Sequence, residues 1–325
     1  MDLRAYLQPV RQSAFLTVWI TLAALILLGT LRYDNFASTY NLGSFLGYNA
    51  MFILISVGMC VVIMTGGIDL SVGAVVALSS VTAALASPQG LVVALPVGVI
   101  TGLAVGLVNA GLIVGLRLPP FMATLAAMLG SSGLALTLSD NRAVPVDWTS
   151  DFTALGMNKV AGLLPWTILV AAAVVAFAWF LIARTSLGRT LLAVGGNAEA
   201  AHLMGLKTTR ALVFAYAFSG ACAGLAGVFL ASGYGAGQPL EGAGWELAAI
   251  SAVVVGGTLL TGGMGSIPAT VAGALLFGLV FNLLNFENGR GTISLSAYWQ
   301  SVIRGAFLLI VILLQARLTR PVPKS

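Results

Sequence analysis

Apolar residues in this chain fall in long unbroken runs, not at the period of a half-buried strand or of an amphipathic surface helix. Ten runs stand out, near residues 13–31, 47–64, 71–87, 91–116, 120–138, 163–183, 211–233, 246–261, 268–286 and 298–315. A helix needs about 20 mainly apolar residues to cross a bilayer, and only helices or closed barrels satisfy their own backbone there. The pattern predicts an all-α integral membrane protein, a polytopic bundle of about ten transmembrane helices forming one domain over residues 1–325. The first run is long enough to span and lacks a small-residue cleavage site, so it reads as a helix and not as a signal peptide.

Composition narrows the function classes. Of 325 residues, 59% are hydrophobic and 8% charged, against roughly 25% charged in soluble domains. The 39 glycines suit spanning helices, where small residues let backbones approach. A net charge of +5 raises nucleic acid as a partner, but phosphate binding needs a clustered basic surface, and these cations sit scattered at helix ends. No nucleic-acid partner is expected; membrane lipid is. Cys60 and Cys222 lie inside apolar runs and read as buried thiols.

Orientation follows from the positive-inside rule. With ten spans and a cytoplasmic N-terminus, the inner side collects Arg4, Arg11, Arg117, Arg184, Arg189, Lys207, Arg210, Arg317, Arg320 and Lys324, and the outer side Arg32, Arg142, Lys159 and Arg290. Both termini are therefore expected in the cytoplasm. Two connections are long: 140–162 outside and 184–210 inside. Met64-Thr65-Gly66-Gly67 and Leu260-Thr261-Gly262-Gly263 echo each other, and matched glycine-broken segments can mark a duplicated transporter fold. In a glycine-rich chain, chance is an equal reading.

The inner connection holds the most informative stretch, Gly195-Gly196-Asn197-Ala198-Glu199-Ala200-Ala201-His202-Leu203-Met204-Gly205. Asn197 is a favoured helix N-cap, Glu199 places negative charge where the helix dipole favours it, and Gly205 can end the helix in a left-handed conformation. A helix of about two turns is expected, with an alanine face that could dock in a partner's groove. The alternative is an ordinary solvated turn.

Glu199, Ala200 and Ala201, followed by Gly205, resemble the cytoplasmic signature of permease subunits in bacterial ATP-binding cassette importers. Gly66-Gly67-Ile68-Asp69-Leu70-Ser71-Val72-Gly73 and Glu246-Leu247-Ala248-Ala249-Ile250, then Val255-Gly256-Gly257-Thr258, are similar to the ribose-type sugar permeases among them. The resemblance runs over nearly the whole chain. It departs at Ala248, where those permeases would carry Asp, which puts in doubt any role for an acidic pair there. It implies a permease in the inner (plasma) membrane, with 184–210 as a loop that couples to separate ATPase subunits through Gly195, Gly196, Asn197, Glu199, Ala200, Ala201 and Gly205. It also implies a second permease copy or a related permease, an extracytoplasmic sugar-binding protein docking on 140–162 and 233–244, and a monosaccharide as cargo.

The chain has no phosphate-cradling Gly-Lys-Ser/Thr, since none of its three lysines follows a glycine. ATP is expected to be used by a partner, with no cofactor on this chain. His202 is the only histidine, leaving no metal site or histidine-activated nucleophile. Candidate pathway residues are Asp69, Asn109, Phe121, Glu246, Asn282, Asn285 and Arg304, each with a plainer reading. Asp69 could cap the helix near Leu70; Glu246 could mark the water boundary. Arg304 could snorkel, or pair with Glu246 or Glu287. The asparagines could join helices. Phe121, Tyr234 and Trp245 could stack on a sugar or form the interfacial belt.

Scarce membrane-embedded charge disfavours an ion-driven secondary carrier, and nothing resembles an intramembrane enzyme site. A neutral polar solute fits best. A branched-chain amino-acid permease of the same superfamily remains the rival, its cargo being zwitterionic.

Overall fold

The computed structural model describes residues 3–162 and 164–289, with isolated positions between 296 and 309; side chains are described from residue 16 onward. Arg304 and most of the expected span at 298–315 lie outside the described residues. The chain is helical almost throughout: α1 (Leu3–Arg32), α2 (Thr39–Met64), α3 (Val72–Ala86), α4 (Leu91–Gly115), α5 (Pro120–Leu138), α6 (Ala154–Met157), α7 (Trp166–Arg184), α8 (Ser186–Gly196), α9 (Ala198–Leu203), α10 (Thr208–Tyr234), α11 (Trp245–Val255) and α12 (Ile267–Gly289). Two two-residue ladders complete it, β1 (Val144–Pro145) with β4 (Ala236–Gly237) and β2 (Lys159–Val160) with β3 (Leu164–Pro165).

Seven of the described helices are long and apolar enough to cross a bilayer: α2, α3 with the turn after it, α4, α5, α7, α10 and α12. These make the chain a multi-pass membrane protein. Against the expected count of about ten spanning helices, the described residues hold twelve α-helices, seven of them long and apolar enough to span. The surplus comes from short helices inside connections that read as loops, and residues 246–261 form no full span. There α11 stops after 11 residues at Gly256, because Gly257, Gly262 and Gly263 turn left-handed in the stretch that follows.

Burial separates the centre from the periphery. The most apolar windows of α2 and α3 are 83% and 78% buried, those of α4, α5 and α7 only 22%. A helix apolar on every side is either central or faces lipid, and these two groups are those two cases. α10 lies across α2, α3 and α4. Its approach to α4 is set by glycine: Gly98, Gly102 and Gly106 recur every four residues and face Gly220 and Gly224. A Cβ on Gly102 would overlap the Gly220 carbonyl and come within 2.6 Å of Gly224 Cα. Small residues at this spacing let spanning helices meet backbone to backbone.

A second apolar cluster docks α1 on α12, with Val18, Leu22, Tyr33 and Phe36 against Ala272, Leu276 and Leu279. At the helix ends Arg32 forms an ion pair with Glu287, whose other oxygen accepts from the Tyr33 hydroxyl at 2.7 Å.

The 140–162 connection is a folded cap. Phe152 is fully buried, with Val146 and Leu155 beside it in the core. Asp151 Oδ1 accepts from Leu91 N at 2.7 Å, satisfying a free amide at the start of α4, and the Ser232 hydroxyl donates to Phe152 O at 2.8 Å. On the exposed face, the Thr149 hydroxyl and then its amide hold the Asp147 carboxyl below the usual carboxylate range.

Candidate functional site

The functional geometry begins where two helices fail to continue. Between α2 and α3, residues 65–71 leave the helix at Gly66, whose φ of +82° suits glycine. The end of α2 touches the loop after α11, with Gly263 N–H donating to Met64 O at 3.0 Å. The start of α3 touches the loop before α11: a Cβ on Gly73 would overlap Gly242 O and lie 2.7 Å from Glu246 Oε2. The seven-residue connector therefore climbs alongside the 11 residues of α11, a rise of about 16 Å, within the roughly 24 Å that seven residues can reach. That is half the thickness of a hydrocarbon core. Irregular backbone at such depth is tolerated only inside protein or beside a cavity, and here hydrogen bonds hold it against α4, α5 and α10.

Asp69 sits in this connector, 1% exposed. Its Oδ1 accepts from Ser71 N at 3.0 Å and the Ser71 hydroxyl at 2.6 Å, and its Oδ2 from the Ser219 hydroxyl of α10 at 2.8 Å. Asn109 of α4 joins by donating Nδ2 to Ser71 Oγ at 2.9 Å. The node has the local role of the plainer reading of Asp69, satisfying the Ser71 amide ahead of α3, and it also ties the connector to α10. Asn109 Oδ1 and the Tyr216 hydroxyl, both buried close by, have no partner among the described residues.

The other candidates are dispersed. Glu246 is half-buried in the first turn of α11, where the helix dipole favours a carboxylate, and its Oε1 accepts from Gly244 N at 3.2 Å. Asn282 of α12 exchanges side-chain hydrogen bonds with Asn41 of α2, at 3.0 and 3.3 Å. Asn285 and Phe121 are exposed on α12 and α5. Trp245 is buried and so stands apart from an interfacial belt, its ring 4.7 Å from that of Phe52.

The inner connection is built from two helices. Thr185 caps α8, accepting from Gly188 N at 3.3 Å, and α8 buries Leu191 and Val194. Sequence reading missed α8, although Leu187, Leu191 and Val194 already carry its helical spacing. Asn197 caps α9 by accepting from Ala200 N at 2.9 Å. Gly205 ends it at φ +76°, with Gly205 N bonded to His202 O and Leu206 N to Ala201 O, the paired bonds of a Schellman closure. At six residues α9 is close to the expected helix of about two turns. It buries Ala201 and presents Glu199, His202, Leu203 and Met204 outward. Leu203 is 80% and Met204 70% exposed.

The chain matches the family described as branched-chain amino acid transport system / permease component over residues 41–312. It belongs to that family. It is 38% identical over 303 residues to the ribose import permease protein RbsC of Bacillus subtilis (strain 168), covering 92% of each chain. It is 36% identical over 313 residues to the L-arabinose transport system permease protein AraH of Escherichia coli (strain K12), covering 94% of this chain and 93% of the relative. The D-allose transport system permease protein AlsC of the same strain is 32% identical over 307 residues, with 94% and 92% covered. No solved structure matches.

Proposed function

We propose that this chain is the membrane-spanning permease subunit of a bacterial ATP-binding cassette importer, and that it carries a monosaccharide, a pentose or hexose, across the inner membrane. One observation carries the coupling. α9 stands outside every spanning helix, yet exposes Leu203 and Met204 side by side. Exposed apolar surface rimmed by polar residues marks a contact site, and Glu199, His202 and Lys207 provide that rim. An ATPase subunit of the importer is the partner that fits. ATP is hydrolysed there, because this chain lacks the phosphate-cradling lysine motif, and the permease itself needs no cofactor.

The cargo reading rests on relatives named for ribose, allose and arabinose and on the bundle's polarity. A sugar needs hydroxyl, amide and backbone partners, not fixed countercharge. A second permease copy or a related permease completes the passage, and an extracytoplasmic sugar-binding protein delivers cargo to the folded cap at 140–162.

The family description supports a second reading, a branched-chain amino acid as cargo. Both are tested by expressing the tagged chain with its ATPase subunit and binding protein, then measuring uptake of radiolabelled ribose, arabinose and leucine. ATP-dependent uptake of a sugar alone supports the first reading, and uptake of leucine alone supports the second. Ion-gradient-driven uptake by the isolated chain overturns both.

A further inference from the structure

Three stretches of backbone from distant parts of the chain meet immediately before α9. The end of α2 contributes Met64 and Gly66, the end of α8 contributes Gly195 and Gly196, and the loop between α11 and α12 contributes Gly262 and Gly263. A Cβ on Gly195 would overlap both Met64 O and Gly263 N. One on Gly262 would lie 2.6 Å from Gly66 N and 3.0 Å from Gly195 Cα, and one on Gly263 would lie 3.1 Å from Gly196 Cα. Gly66, Gly262 and Gly263 all hold φ between +76° and +83°, a region costly to other residues. The Gly263 N–H to Met64 O hydrogen bond, 3.0 Å long, stitches two of the stretches. It also gives a partner to a carbonyl that the end of α2 would leave free.

This placement unites what the sequence shows as separate features. The two Thr-Gly-Gly echoes are a contacting pair, and the glycines preceding α9 are wedged against them. Each stretch opens onto something different. Beyond Gly66 runs the interrupted connector with Asp69, before Gly262 lies the half-length helix α11, and two residues past Gly196 begins the exposed α9. Backbone in direct contact transmits a displacement without the rotamer freedom that intervening side chains allow, since close-packed interiors pass on strain.

We propose that this glycine junction is the mechanical link of the permease: Gly195 and Gly262 are positioning residues through which movement of α9 reaches the connector at 65–71 and α11 together. The proposal rests on the reading of α9 as the contact for the ATPase subunit. It adds which parts of the bundle that contact drives, and makes the junction a unit that stays closed while it moves.

The test compares two substitutions in the full complex, permease with its ATPase subunit and binding protein, reconstituted in proteoliposomes. Gly195→Ala introduces a methyl group against backbone atoms that cannot rotate away, although its own φ is not left-handed. Gly130→Ala, on α5 and away from the junction, has nothing within 4 Å. Expected for Gly195→Ala are copurification of the ATPase subunit within twofold of wild type and a tenfold or greater fall in sugar transported per ATP. Gly130→Ala should match wild type in both. Equal transport per ATP in both variants, or equal losses, overturns the proposal.

A readout on the unaltered complex guards against misfolding of Gly195→Ala. Amide exchange around Gly263 should be slow both at rest and with the ATPase trapped by vanadate, because the bond to Met64 persists as the junction moves. Loss of protection on trapping overturns the link. Failure of any ATPase subunit to copurify with the wild-type chain would instead overturn the functional reading beneath it.

Discussion

Removing the Asp69 carboxylate in two ways separates its hydrogen bonds from its charge. Asp69→Ala strips the acceptor from Ser71 N, Ser71 Oγ and Ser219 Oγ, all buried at 2.6 to 3.0 Å from it. The two hydroxyls can rotate toward other acceptors. The Ser71 amide cannot, and a buried unsatisfied donor costs about 1–3 kcal/mol. With the small cavity added, about 3 kcal/mol is expected. Asp69→Asn keeps one carbonyl for Ser71 and leaves the Ser219 hydroxyl free to accept from the new amide, so about 1 kcal/mol is expected. Cys60 and Cys222, both buried and unbridged, make the assay convenient: a thiol-reactive dye reports heat unfolding of the detergent-purified protein without added probes. Asp69→Ala should unfold well below wild type and Asp69→Asn close to it, with sugar uptake by Asp69→Asn within about threefold. If Asp69→Asn is as stable as wild type yet transports less than a tenth as much, the carboxylate acts on cargo or movement and the reading of the node as a clasp is refuted.

Three more outcomes follow from the geometry. Gly102→Leu should prevent accumulation of folded protein by forcing α4 off α10, while Gly111→Leu on the same helix, with open space around it, should accumulate normally; membrane-fraction immunoblots compare them. Leu203→Asp should leave the unfolding midpoint unchanged, because that side chain is 80% exposed, but reduce copurified ATPase subunit at least fivefold. Asp151→Ala should lower stability by about 1 kcal/mol, as losing a cap at a helix start does, and speed amide exchange at Leu91, whose N–H that carboxylate holds.

Hydropathy located the long helices well because burial in lipid and burial in protein demand the same apolar composition. That equivalence is also why it could not rank them: α2 and α4 are both strongly apolar, and only packing shows one central and the other peripheral. The caps of α9 were legible residue by residue, since Asn197 and Gly205 act through local backbone geometry. Misjudged were the connections, where α8 and the folded cap at 140–162 gain their order from apolar residues such as Leu191 and Phe152 that bury against distant helices. The span expected at 246–261 was misread for a related reason, its apolar residues continuing past the glycines that end α11.

The sequence alone determined that this chain crosses a membrane many times, that its charge is sparse, and that the stretch ending at Gly205 presents a capped helix outside the spans. These are properties of composition and of neighbours within a few residues. Tertiary structure decided that Asp69 joins α10 and α4 through Ser219, Ser71 and Asn109, that Asn282 pairs with Asn41, and that two similar glycine segments nearly 200 residues apart touch. Such contacts depend on how helices cross, and a glycine that merely loosens a chain is written the same way as one that lets three backbones meet.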